Sequence, residues 1–439
     1  MRINQISVTK LFGIFNHQVS LNIEDRITII HGANGFGKTA LLRLINGFFN
    51  SRYSELRSIP FTEFRVDFDD CSHLQVTKSI EQINEKDQKL MFHFYRVGAE
   101  PEMFSPNLLT NLGVKVDWHL SATEDEVNSL IQVGEQNTIT SLSPLENFAI
   151  PFIESFENFA RKLKKEPKWL SELKISIDVH FIETQRLLTP SSVPEPAVDT
   201  KTPSMIPSIN IYSQELAEEI QIRLAEYGAL SQSLERTFPA RIFNNKVPSD
   251  LTEETLRNKL NEIEEKRSSL KKTGLLDKDE NSEFQVDQNI DGVTKNILSI
   301  YVEDVEKKLM IFQEIATKIE LFRRIIQQRF LHKNMSISKD KGFTFTTADD
   351  KPLLATDLSF GEQHELVMLY QLLFKVKPNS LVLIDEPELS LHVAWQVQFL
   401  TDLQAIIRLA NFDVLIATHS PDIIDDRWDL TVELKGPVE

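Results

Sequence analysis

The sequence predicts an α/β protein: a mixed sheet with antiparallel N-terminal strands, interrupted by an inserted helical hairpin. Three observations carry this prediction. Leu381-Val-Leu-Ile384 is an unbroken apolar run ending in the acid pair Asp385-Glu386, the pattern of a strand buried on both faces of a parallel sheet. Arg26–His31 is a second apolar strand, followed by a glycine-rich loop and an apolar helix from Thr39. From residue 61 to 97, segments such as Phe64–Phe68, His73–Val76 and Met91–Tyr95 alternate apolar and polar residues, as an antiparallel meander does.

The chain has 439 residues, enough for two or three domains, and its 41% hydrophobic content can fill a sizeable core. A formal net charge of −17 argues against a protein coated in nucleic acid and leaves room only for a local basic groove. Cys71 is the only cysteine, which excludes an intrachain disulfide and a Cys-rich zinc site and points to a reducing cytoplasm. The N-terminus begins in strand-like alternation (Ile6, Val8) rather than a signal-peptide core. No run of about 18 apolar residues predicts a membrane span.

Residues 1–97 read as strands Ile3–Leu11 and Val19–Ile23 around a loop at Gly13, then Arg26–His31, the loop, the helix and the meander. Residues 98–172 form an insertion whose role the residues do not reveal, with an amphipathic helix expected at Leu145–Lys164. Leu173–Ile182 alternates apolar residues and reads as a strand ending at Glu183-Thr184-Gln185-Arg186, within a segment 173–189. Residues 190–212 hold five prolines and no periodicity, the mark of a linker.

Residues 213–330 carry helical spacing and read as a coiled-coil-like hairpin, either projecting or packed on the core. One face runs through Leu216, Ile220, Leu224, Tyr227, Leu234 and Phe238 until Pro239 interrupts; a second holds Leu256, Leu260, Ile263 and Leu270. From Leu298 to Phe330 a stripe recurs every 3.6 residues or so, predicting one helix of about 50 Å. Residues 331–439 return to strands (Met335–Ile337, Gly342–Thr346), a helix Glu365–Phe374, the 381–388 strand, and a last strand from Asp413 that ends before His419.

The chemistry sits at the strand ends. Gly32-Ala33-Asn34-Gly35-Phe36-Gly37-Lys38-Thr39 matches G-x-x-x-x-G-K-[ST], a loop whose backbone N–H groups turn toward phosphate oxygens. Gly32, Asn34, Gly35 and Gly37 would line that cradle, Lys38 would meet the β- and γ-phosphates of ATP, and Thr39 would ligate Mg²⁺. Asp385 is placed to hold the metal and Glu386 to polarise the attacking water. Ser359-Phe-Gly-Glu-Gln opens a helix, where Ser359, Gly361 and Glu362 offer a hydroxyl and open N–H groups to an anion; Ser-x-x-Glu is equally an ordinary capping box.

The order of these pieces resembles ABC-type ATPases: phosphate loop, Gln185 at a strand end, Leu358-Ser-Phe-Gly-Glu-Gln363, Asp385-Glu386, then His419. Within them the chain is similar to the soluble RecF-, SMC- and OLD-like branch, on Asp385-Glu-Pro-Glu-Leu-Ser-Leu-His392 and Ala417-Thr-His-Ser-Pro421. The resemblance covers residues 1–97, 173–186 and 335–425. It implies that Gln185 senses the γ-phosphate and the metal, that His419 is the switch histidine, and that Ser390–His392 form a loop crossing between subunits. It also implies that two heads close on two ATP molecules, with Ser359 and Gly361 completing the partner's site.

In wording, Lys10-Leu-Phe-Gly-Ile-Phe15, Ile29–Thr39, Phe181–Leu187 and Leu358–Trp395 resemble the AriA-like ATPases of PARIS anti-phage systems, with Septu and retron ATPases sharing the motifs. That resemblance implies a homodimer of heads or a larger homo-oligomer holding a separately encoded effector, such as a TOPRIM nuclease, until a phage protein triggers release. The chain ends 20 residues beyond His419, which supports an expectation that any nuclease is separate. The alternative is a DNA-repair or DNA-structure ATPase acting through Arg323, Arg324 and Arg329 on the helical arm.

Overall fold

The computed structural model describes residues 1–80, 88–106, 166–190, 205–244, 252–277 and 292–436. The expected helix at Leu145–Lys164 and most of the 98–172 insertion lie outside the described residues. The chain divides into two compact units, one of Met1–Ile206 with Lys375–Glu439, the other of Pro207–Phe374.

The first unit opens with β1 (Ile3–Leu11) and β2 (Phe15–Ser20), paired antiparallel across a turn in which Lys10, Phe12 and Gly13 take positive φ. The second strand starts earlier than the apolar pattern suggested. Phe15, His17 and Val19 are its buried positions, and the polar His17 hides the alternation from a hydropathy reading. Next come β3 (Ile27–His31), α1 (Lys38–Phe49) and α2 (Tyr53–Ser58). The meander follows as β4 (Glu63–Phe68), β5 (His73–Ile80), β6 (Gln88–Tyr95) and β7 (Glu102–Phe104). These strands form one antiparallel sheet in the order β2-β1-β4-β5-β6-β7.

The expected strand Leu173–Ile182 is half helix. α3 (Lys168–Ser176) begins after Pro167 and buries Trp169, Leu170 and Leu173, while Ile175 is 82% exposed. The alternation of Leu173 and Ile175 is therefore coincidental, and only β8 (Val179–Ile182) is strand. Two short strands, β9 (Leu188–Pro190) and β10 (Met205–Pro207), end this part of the chain.

The second unit starts with α4 (Ser208–Asn244), which runs through Pro239 rather than stopping there. Pro239 lies on an exposed stretch near the helix end, where water can satisfy the carbonyl that loses its donor. α5 (Glu253–Lys272) buries Leu256, Leu260, Ile263 and Leu270 and is capped by Thr252. The Leu298–Phe330 stripe is split into α6 (Gly292–Met310) and α7 (Gln313–Arg329), so the single long helix is corrected to two. At the break Phe312 N–H bonds Leu309 O, three residues back, at 3.1 Å. No glycine or proline marks the site. Every stripe residue but Tyr301 is still buried.

α6 packs on both α4 and α5, and an Arg241–Asp304 ion pair ties α4 to α6. A small antiparallel sheet, β11 (Lys333–Ser338), β12 (Gly342–Thr347) and β13 (Pro352–Leu353), packs against α4 through β12. The unit ends with α8 (Phe360–Tyr370), opened by Ser359 as its cap, and a π-turn from Gln371.

Back in the first unit are β14 (Leu381–Asp385), α9 (Val393–Gln396), α10 (Phe399–Ala410), β15 (Asp413–Ala417), α11 (Pro421–Ile424) and β16 (Thr431–Glu433). The second sheet is all parallel, in the order β16-β3-β15-β14-β8. Its central strands are buried over almost their whole length, as their apolar runs require. α1 packs on β8, β14 and β15 and carries the phosphate-type loop to the carboxyl ends of those strands. Among the described residues no helix is long and apolar enough to cross a membrane.

Candidate nucleotide site

β3 ends at His31, and the chain turns into α1 through Gly32–Gly37, with Gly32, Gly35 and Gly37 at positive φ. Two of these positions are crowded, Gly32 by backbone and Gly37 by a buried side chain. A Cβ on Gly32 would sit 2.7 Å from Leu434 O, and one on Gly37 would sit 2.5 Å from Leu11 Cδ2. Asn34 is exposed at the loop's tip. Lys38 is buried at the first residue of α1, and its Nζ donates to Gly32 O at 2.8 Å and Ala33 O at 3.4 Å. The ammonium thus curls back over the loop's own carbonyls.

Thr39 is next on α1, and its Oγ1 donates to Asp385 Oδ1 at 2.9 Å. That contact joins residues 346 apart in sequence, the pairing expected of the two motifs. Asp385 is buried at the end of β14. Burial pushes its carboxyl above the ordinary value, the Thr39 hydroxyl pulls against this, and the neighbouring Glu386 charge adds to the rise. Glu386 takes a left-handed conformation (φ 45°, ψ 60°), and its N–H donates to Ala417 O on β15 at 2.8 Å. A non-glycine residue at positive φ is strained, a feature that concentrates at functional sites.

His419 lies two residues past the end of β15. Its Nδ1 lies 3.0 Å from Glu388 Oε1 and 3.9 Å from Glu386 Oε1, so the acid nearer the ring is Glu388. Gln185 is exposed, while its neighbour Thr184 donates through Oγ1 to Asp385 O at 3.3 Å. The segment after β8 therefore touches the end of β14 through Thr184. Arg186 beside it is buried, and burial pushes its guanidinium down to about 10.

Three contributors escaped the sequence reading. His17 on β2 is buried, and its Nε2 bonds Phe36 O in the loop at 2.7 Å. Burial lowers its pKa against the Phe36 bond, so the ring is neutral at pH 7 and Nε2–H is the donor to that carbonyl. Glu388 and Gln396 are the others. Gln396 donates to Glu388 O and Leu391 O at 3.3 and 3.2 Å and accepts from Ser420 Oγ at 2.8 Å. The only signal for His17 was a polar residue at an inward position of an alternating strand.

The Ser359 motif belongs to the second unit. Ser359 and Glu362 form a complete capping box at the start of α8: Ser359 N–H donates to Glu362 Oε2 at 2.8 Å and Glu362 N–H to Ser359 Oγ at 3.4 Å. Lys333 Nζ grips both Glu362 oxygens at 2.6 and 2.7 Å. Burial raises the Glu362 carboxyl, but Lys333 and Ser359 outweigh it and hold it below the ordinary value. One turn on, Glu365 is fully buried and paired with Arg329 of α7. Phe360 is exposed and Gly361 half-buried.

Three comparisons bear on this arrangement. A family model described as the AAA ATPase domain matches residues 1–424. No curated protein matches. Similar solved structures include the Smc head domain with an extended coiled coil bound to the C-terminal domain of ScpA from Pyrococcus furiosus. That likeness is 12% identical with a TM-score of 0.34, over 100% of this chain and 94% of that one. The SMC head domain from Thermotoga maritima is 10% identical with a TM-score of 0.35, over 100% of both chains. The Smc head domain with a coiled coil and joint from Pyrococcus yayanosii is 13% identical with a TM-score of 0.32, over 100% of this chain and 96% of that one. Since the family model spans both strand-end motifs and the Ser359 helix, this chain belongs to the AAA ATPase domain family.

Proposed function

We propose that the chain binds Mg-ATP and hydrolyses it, on one observation above all: Thr39 of the glycine loop bonds Asp385 of the acidic strand end. The donor set fits the ligand. A hydroxyl and a carboxylate are hard oxygen ligands of the kind Mg²⁺ takes alongside phosphate and water. A buried ammonium bonded only to loop carbonyls is poised to exchange them for phosphate oxygens. Mg²⁺, when bound, neutralises charge on the phosphates. Lys38 supplies a fixed positive charge, Thr39 and Asp385 orient the cation, and Glu386 polarises the attacking water. His419 and Gln185 complete the site at the γ-phosphate, and Ser359 and Gly361 act on the site of a second copy.

Lys38→Ala should abolish nucleotide binding, whereas Glu386→Gln should keep it and stop turnover. Calorimetry with ATP and Mg²⁺, beside a phosphate-release assay, checks both. Equal affinity in the two variants would count against these roles.

The reading extends to what hydrolysis serves: head closure controls a separate protein effector, as in the PARIS-like defence ATPases the sequence resembles. Two observations support it over direct action on DNA. The net charge is −17, and Arg329, one of the three arm arginines, is consumed in a buried pair with Glu365. The purified chain should neither cut nor unwind DNA, and co-expression with its genomic neighbour should yield a complex that depends on Lys38. DNA cleavage by the lone chain, lost in Asp385→Ala, would overturn the effector reading.

A further inference from the structure

We propose that Glu388 is the positioning residue for His419, fixing the imidazole in the Nδ1–H tautomer and pinning its loop to the turn after β14. This rests on the nucleotide reading above, in which His419 meets the γ-phosphate. The geometry is specific. One oxygen of Glu388, Oε1, accepts from the His419 backbone N–H at 2.9 Å and lies 3.0 Å from His419 Nδ1. A carboxylate has no proton to give, so Nδ1 carries it. Nε2 is then the nitrogen left for the nucleotide: a lone pair toward a water hydrogen in the neutral ring, a donor to a phosphate oxygen in the charged one.

Glu386, the acid expected to polarise the attacking water, lies farther off at 3.9 Å and is more exposed, with 27% of its side chain accessible against 5% for Glu388. Division of labour follows. Glu386 stays free to face water, and Glu388 holds the ring.

Two further observations set Glu388 apart from an ordinary strand-end acid. Its second oxygen, Oε2, is buried and has no hydrogen-bond partner among the described residues. A buried acid left half satisfied lowers stability, which favours a role in the site over a role in folding. The turn that carries it is also clamped. Gln396, itself buried, bonds the carbonyls of Glu388 and Leu391 on one side and the hydroxyl of Ser420 on the other. The Pro387–Ser390 turn and the His419 loop are thereby tied twice, once by a carboxylate and once by an amide.

The test reads the tautomer directly, by ¹⁵N NMR of the histidine-labelled full chain at alkaline pH, where an imidazole is neutral, with His419→Gln assigning the resonance. Wild type should show Nδ1–H at His419. Glu388→Met, apolar and of similar length, should revert the ring to Nε2–H, the form free imidazole prefers. Glu388→Gln, whose amide oxygen still accepts, should keep Nδ1–H. With Mg-ATP, Glu388→Met should lower kcat about 10- to 100-fold, as loss of a histidine's orienting partner does, with nucleotide affinity unchanged. In a His419→Gln background it should lower kcat no further. Nε2–H in the wild-type spectrum, a tautomer indifferent to Glu388→Met, or kcat losses that multiply would each overturn the proposal. If wild type binds no nucleotide, the function reading falls while the spectrum still decides the role of Glu388.

Discussion

Glu365→Ala should destabilise the second unit sharply and leave nucleotide binding by the first unit intact. Glu365 and Arg329 are 0% and 2% exposed, and they join α8, the helix that begins with Ser359, to the end of α7. Truncating the acid leaves a guanidinium buried without that carboxylate. Removing one partner of a buried pair costs about 3–5 kcal/mol. Pro207–Phe374 is a unit of about 170 residues. At that size each kcal/mol moves the melting temperature by about 2–4 °C, so a drop of about 6–20 °C is expected. Differential scanning calorimetry measures it, with nucleotide titration as the control on the first unit. The double replacement Arg329→Met with Glu365→Leu should recover most of the loss, because matched apolar groups often replace such pairs without penalty. A loss below about 1 kcal/mol for Glu365→Ala, the size of a surface pair, would show that Arg329 does not depend on this carboxylate.

Two other outcomes are expected. Asp385 has its carboxyl raised by burial, so its ionised form is disfavoured in the folded chain; the penalty is absent below the ordinary carboxylate range and grows as pH rises through it. Asp385→Asn should therefore raise the melting temperature of the nucleotide-free protein at pH 7, by a margin that shrinks toward pH 4, and a gain independent of pH would contradict this. Mixing a Lys38→Ala chain with a Ser359→Arg chain should restore up to one working site per mixed dimer, and verified mixed dimers without phosphate release would place Ser359 outside a shared site.

What was legible in the sequence was what consecutive residues encode. β3, β14 and β15 were readable because strands buried on both faces must be apolar at every position. The glycine loop was readable because its conformation leaves room for little else at Gly32 and Gly37. Single polar residues whose partners come from elsewhere were not. His17, Glu388 and Gln396 look like any other polar residue until the fold brings Phe36, His419 and Ser420 to them. Misreadings came from periodicity without packing. Leu173 and Ile175 alternate as in a strand, yet one is buried in a helix and the other exposed. The break at Phe312 left no trace, because one three-residue step keeps the stripe on the same face.

The Ser359 motif shows how two readings of one stretch are compatible. The capping box is complete: Glu362 Oε2 accepts from both the Ser359 N–H and its hydroxyl, and Lys333 donates to both Glu362 oxygens. Glu362 is therefore committed to the helix start and is poorly placed to meet a nucleotide itself. Helix geometry leaves the first N–H groups without intrahelical acceptors. Glu362 N–H is taken by Ser359, and Gln363 N–H already reaches Ser359 O at 2.9 Å. That leaves the N–H groups of Phe360 and Gly361 as the donors for an anion, beside a glycine with no side chain to block the approach. The cap sets the direction in which those groups point. Under the proposed function, Ser359 and Glu362 hold the helix start in shape, Arg329 holds it to α7 and Lys333 to β11, and the bare backbone between them is what a second copy's nucleotide would meet.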